Sequence, residues 1–177
     1  DPKALTMQAF LLDPTNTAQI SAAPGVILAE EVTIERRRAF HKGHPVELGD
    51  LELLAKAPRP IHAVRLSPTD LHEDEAARRL GAALTGRGIV ATEPRQSRVN
   101  LVASTKGLLR VDAEAVTDLN LVPDISVFTL YDRLPVIAER VVGGAKITPI
   151  AIAESNLAAA EAIAARRSVI QVKPFLP

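Results

Sequence analysis

Residues 71–80 read LHEDEAARRL, a histidine followed at once by three acids and then by a run that turns apolar. Two readings compete. His72, Glu73, Asp74 and Glu75 could gather a metal ion, or they could open a helix. Ala76, Ala77, Leu80, Ala83 and Leu84 fall three and four apart, which marks one buried helical face. Acids in a first turn lie where the positive end of the helix dipole stabilises negative charge. Asp74 with Arg78, and Glu75 with Arg79, stand at the spacing of helix ion pairs, so both acids have partners without a cation. The preceding SPTD offers Ser67 as N-cap, Pro68 at the first helical position and Asp70 closing a capping box; Asp70 as cap with Glu73 is the other register. His72 and Glu75 share a face, yet a metal site needs further ligands from elsewhere. The stretch reads as a helix start.

Outward from this helix, strand-like segments alternate with short helical ones and no internal repeat is visible. MQAFLL (7–12), EEVTI (30–34), IHAVRL (61–66), IVATE (89–93) and DISVFTLY (124–131) read as strands. TAQISA (17–22), LELLAKA (51–57) capped by Asp50, AEAVTDLNLV (113–122) and ESNLAAAEAIAARR (154–167) read as helices. RVNLVAS and GLLRVD, joined at Thr105-Lys106-Gly107, read as a hairpin, and GGAK (143–146) reads as a tight turn between the strands PVIAERVV and GGAKITPIAI. SVIQVKP is a last short strand. Hairpins mixed with crossover helices give an α+β class, with mixed sheets and room for two subdomains. Pro58, Pro60 and Pro94 mark candidate boundaries near 58–60 and 94; the first gives a β-rich subdomain over 7–58, an α+β subdomain over 59–172 and a linker at 173–177.

Composition narrows the function classes. The 21 basic and 21 acidic residues cancel, so no global field favours nucleic acid or an anionic membrane. Without tryptophan, and with one tyrosine and four phenylalanines, base-stacking platforms are scarce. The absence of cysteine removes disulfides, thiolate nucleophiles and cysteine-ligated metals, and fits a cytoplasmic location. No apolar run approaches the roughly 20 residues of a bilayer span, so the chain reads as soluble. Met7 is the one methionine, so Asp1–Thr6 is either an added leader ahead of a natural start or native chain.

The densest basic run is RRRAFHKGH (36–44), where Arg36, Arg37, Arg38, His41, Lys42 and His44 surround Gly43 and suit a phosphate, or serve as a solvated turn. His41 and His44 form an H-x-x-H pair without a supporting carboxylate set. Ser104, Thr105 and Lys106 at the expected hairpin tip offer two hydroxyls and an ammonium that could hold an anion, or serve as ordinary turn chemistry. No nucleophile elbow, dinucleotide fingerprint or phosphate-loop signature is present.

Six segments in succession, GVILAEEVT, AFHKGHPVELGDLELL, LHEDEAARRLGAAL, RVNLVASTKGLLRVDAEAVTDLN, FTLYDRLPV and VVGGAKITPIAI, resemble the bacterial molybdopterin-binding proteins related to the N-terminal part of molybdopterin molybdenumtransferase. The resemblance covers about residues 25–152. It implies a following α/β domain with a glycine-rich pterin loop, and the chain runs out at QVKPFLP, about where that domain's first strand is expected. The chain then reads as a truncated piece: a non-catalytic region linked to molybdenum cofactor biosynthesis, with molybdopterin bound mainly by the missing C-terminal domain. An enzyme of cofactor maturation, with a site here or at a dimer face, is the alternative, and a homo-oligomer is left open. The matching polar positions are Lys42, Gly43, His44, His72, Glu73, Glu75, Asn100, Gly107 and Gly144. Tyr131 stands where the family shows histidine. The expected cofactor-contacting residues are Arg37, Lys42, Gly43, His44 and Lys106; no catalytic or metal residue is assigned.

Overall fold

The computed structural model describes residues 7–175; Asp1–Thr6, and with them any leader ahead of Met7, lie outside the described residues. The fold is α+β, built from several small, mostly antiparallel sheets. It divides after Asp70, into a unit ending there and a unit from Leu71 onward, each with its own apolar core.

The first unit runs β1 (Gln8–Leu12), α1 (Thr17–Ser21), β2 (Val26–Leu28), β3 (Val32–Ile34), β4 (Arg37–Phe40), α2 (Leu51–Leu54) and β5 (Ile61–Arg65). The boundary lies beyond Pro58 and Pro60, after Asp70, because β5 is the central strand of this unit's sheet, paired antiparallel with β1 and β2. Asn16 starts α1 by accepting from the amides of Ala18 and Gln19, each at 3.1 Å. Asp50 does not cap α2. Its carboxylate takes the Glu47 amide at 2.9 Å and His44 Nε2 at 2.8 Å instead. Leu12, Leu28, Phe40, Leu54 and Ile61 fill the core.

The basic run is half strand rather than one turn. β3 and β4 pair antiparallel around Glu35 and Arg36, whose φ values of 50° and 64° make a tight left-handed turn without glycine or asparagine. Val32 and Ile34 alternate inward with Thr33 outward on β3, while β4 leaves both Arg37 and Arg38 exposed and buries Phe40, with a register shift between Val32 and Thr33.

Strand β6 (Asp70–His72), which starts at the last residue of the first unit, displaces the expected helix start. It pairs with β13, and the Glu73 amide donates to the Ile150 carbonyl at 2.8 Å. SPTD closes a turn: the Ser67 amide donates to Asp70 Oδ2 at 2.9 Å and the Asp70 amide to the Ser67 carbonyl at 3.1 Å. Helix α3 (Glu73–Leu84) is therefore capped by His72, whose Nδ1 accepts from the Asp74 amide at 3.3 Å. Then follow β7 (Ile89–Ala91), β8 (Arg98–Ala103), β9 (Gly107–Val111), α4 (Ala113–Leu121), β10 (Ile125–Thr129), β11 (Pro135–Val136), β12 (Val141–Ile147), β13 (Ala151–Ala153), α5 (Glu154–Arg166) and β14 (Ile170–Pro174). Residues 173 and 174 thus belong to a strand, not a linker.

One sheet runs β10-β12-β8-β7 and another β11-β9-β14, so the expected hairpin of β8 with β9 does not form. Gly107 serves the second sheet: a Cβ there would lie 2.2 Å from the Lys173 carbonyl oxygen. GGAK is not a turn either. Gly143 and Gly144 lie inside β12, where a Cβ on Gly144 would meet Phe128 Cζ and the Val99 carbonyl oxygen, both at 2.5 Å. Helices α3 and α4 pack on this four-stranded sheet, and Gly81 lets α3 close on Val99 of β8.

The helix ion pairs are redistributed. Glu75 pairs with Arg78, and Asp74 instead accepts the amide of Ser97 at 2.9 Å. Arg79 reaches α5, where it forms paired bonds with Glu154 and Glu161 at 2.8–3.0 Å. The two carboxylates hold its guanidinium even more firmly protonated than usual.

Candidate functional site

The first unit places Arg37 and Arg38 on β4 beside Lys56, which follows α2, around a groove of about 630 Å³. Ile34, Ala39 and Leu53 supply its apolar surface and Glu35 its one carboxylate. Leu53 is 40% exposed, so the groove is open on that side. Arg38 is drawn toward Glu31 at 3.5 Å, between exposed side chains where such a pair contributes little. Arg37, Lys42 and Lys56 have no ion-pair partner among the described residues. The sequence reading missed Lys56 and Leu53. Their signal was present only as the helical spacing of LELLAKA, which says which residues share a face but not what that face meets.

The remaining expected residues are placed differently. Gly43 has φ +83° and its amide donates to the Leu28 carbonyl at 2.8 Å, so this N–H is committed to the fold rather than open to a ligand. His44 is half-buried, bonded to Asp50, tilted against Phe40 and edge-on to His41 at ring-centroid distances of 4.9 and 5.4 Å. The Glu47 amide, with help from His44, lowers the Asp50 carboxyl below its ordinary value. Lys106 is exposed on the bend between β8 and β9, in the other unit from Arg37, Lys42, Gly43 and His44.

A second polar centre in the first unit was invisible in the sequence. Glu30 receives both terminal nitrogens of Arg59, at 3.1 and 2.6 Å, the His62 amide at 2.8 Å and His62 Nδ1 at 3.1 Å. Arg59 first, then the His62 amide, brings the Glu30 carboxyl down from 4.5 to about 2. Glu30 and Arg59 border a cavity of about 430 Å³ with Val32, Thr33, Pro58 and Ile61. The carboxylate is saturated by its own chain, so the arrangement ties residue 30 to the start of β5 rather than offering a base.

Glu73 is buried at the start of α3, Asp74 meets the Ser97 amide and Glu75 pairs with Arg78, and no cluster of three or more potential ligands gathers among the described residues. No helix among them is long and apolar enough to cross a membrane. Neither a family model, nor a curated protein, nor a solved structure matches the chain.

Proposed function

We propose that this chain is the non-catalytic N-terminal region of a molybdopterin-binding protein linked to molybdenum cofactor biosynthesis, and that its first unit helps hold the phosphate end of the cofactor. The reading rests on the order of the six resembling segments. One observation favours the location: Arg37 and Lys56 border the 630 Å³ groove without an ion-pair partner among the described residues, Glu35 being the one carboxylate in its lining. Guanidinium and ammonium groups fit a phosphate, the former through paired hydrogen bonds. An open groove with only Ile34, Ala39 and Leu53 as apolar surface does not enclose a fused ring system, which would be bound mainly by a domain outside this chain.

A phosphate-bearing pterin analogue, titrated calorimetrically at two ionic strengths, tests the reading. The double variant Arg37→Ala, Lys56→Ala should weaken binding about tenfold and flatten its salt dependence, since fewer charges remain to be screened. Lys42→Ala, outside the groove lining, should weaken it far less. Equal affinities for wild type and the double variant at both salt concentrations would remove the groove from the proposal.

A further inference from the structure

The four-stranded sheet of the second unit leaves a face whose side chains sort into rows across the strands. Ser126, Lys146 and Arg98 are register partners on β10, β12 and β8. Phe128, Gly144 and Asn100 form the next row, and Val141, Val102 and Val90 a third on β12, β8 and β7. Val90 is 52% and Val141 44% exposed, while the residues alternating with these rows are buried against the helices. At about 3.3 Å per residue, the cationic row and the valine row are roughly 13 Å apart.

Arg98 is held in place. Its guanidinium carbon lies 4.6 Å from the centroid of the Phe128 ring, and its Nε donates to Asn100 Oδ1 at 3.2 Å. These contacts hold the guanidinium in place, and Arg95, Arg98 and Lys146 have no ion pair among the described residues. Thr92, Glu93, Arg95, Arg98 and Asn100 line a cavity of about 390 Å³ at this edge. Its one acid, Glu93, is highly exposed and lies 3.6 Å from Arg78 Nε, outside the row. A flexible surface arginine must lose side-chain freedom when it binds; one already stacked and hydrogen-bonded has lost much of it in advance.

We infer that this face binds a small oxyanion with an apolar tail, a phosphate monoester or a carboxylate, its charged end on Arg98 and Lys146 and its tail along Asn100 toward Val102 and Val141. The site is independent of the groove beside Arg37, since every residue in it belongs to the other unit. Charge complementarity selects the anionic end, and the paired donors of a fixed guanidinium suit two oxygens on one centre. Val90 and Val141 give the face an exposed apolar end.

Backbone-amide NMR titrations with hexyl phosphate, inorganic phosphate and hexanoate test the site. Hexyl phosphate should shift amides of residues 98–102 and 141–146 saturably and bind at least threefold more tightly than inorganic phosphate, whose shifts should stop short of the valine row. Whichever of hexyl phosphate and hexanoate binds more tightly identifies the head group. Arg98→Ala should weaken the preferred probe tenfold or more. Arg98→Lys keeps the charge but not the fork or its orientation and should fall between. Phe128→Leu keeps every charge and should weaken binding at least threefold by releasing Arg98. Arg37→Ala, in the other unit, should leave all of these affinities unchanged. Absence of saturable shifts on this face with any probe, or equal affinities for wild type and Arg98→Ala, overturns the inference.

Discussion

Replacing Glu30 by glutamine keeps the shape of the side chain and its acceptor for the His62 amide but removes the charge that Arg59 meets. The carboxyl titrates near 2 in the folded chain against 4.5 for the ordinary group. At about 1.4 kcal/mol per pH unit, that gap sets a ceiling of about 3 kcal/mol. The Glu30 side chain is 24% and Arg59 60% exposed, and solvent screening brings the expected cost of Glu30→Gln at neutral pH to about 1.5 kcal/mol. Because the folded value is the lower one, this stabilisation is fully present above the unfolded value of 4.5. It fades as pH falls from there toward 2. Wild type and variant should therefore differ at pH 7 and converge near pH 2. Hydrogen exchange of a peptide spanning Ile61–Arg65 reports the loss locally, since β5 is the strand that Glu30 ties down. Faster exchange in peptides of the second unit but not in β5, or a difference as large at pH 2 as at pH 7, would refute the reasoning.

Two further substitutions probe the second unit. Asn120 on α4 donates to the Val127 carbonyl at 2.9 Å and accepts the Val127 amide at 2.8 Å, occupying the open edge of β10 as a neighbouring peptide would. Asn120→Ala should cost about 2 kcal/mol in urea titrations and introduce concentration-dependent self-association by light scattering; an unchanged monomeric profile would show that the edge needs no cover. Asp74→Ala strips the Ser97 amide of its acceptor and should cost about 1–2 kcal/mol, whereas Asp74→Asn, which retains an acceptor oxygen, should recover most of it. Equal losses in the two variants would trace the effect to charge instead.

The elements legible from the sequence were those whose period is long or whose termini carry chemistry. The buried side of α3 follows from Ala76, Ala77, Leu80 and Leu84, and β5 from the alternation in IHAVR. Glycines misled where they serve close approach instead of turning: Gly107 makes way for the Lys173 carbonyl, and Gly144 for Phe128 and the Val99 carbonyl. Both conflicts lie between strands far apart in sequence, so nothing local distinguishes them from turn residues. The same holds for SPTD, whose pairing of Ser67 with Asp70 closes a turn because β13 claims residues 70–72 as a strand. In the candidate groove, Arg37 stood out by charge density. Lys56 did not, because it is brought there by α2 rather than by its neighbours in the chain. The bonds from Glu30 to Arg59 and His62 span about thirty residues with no motif to announce them.

Glu35–Arg36 and Gln96–Ser97 share one backbone, with φ of 50° and 64° at the successive positions of each turn. Left-handed backbone costs about 1 kcal/mol or more for residues of this kind, and asparagine followed by glycine would relieve it. These turns are therefore the first places where directed evolution for heat resistance should accept mutations. Each turn also abuts an arginine proposed above to meet an anion, Arg37 in one case and Arg98 in the other. Lineages selected only for survival at high temperature should accumulate Arg36→Gly and Ser97→Gly, whereas lineages also required to retain their ligands should retain whichever of these side chains helps to aim its neighbouring arginine.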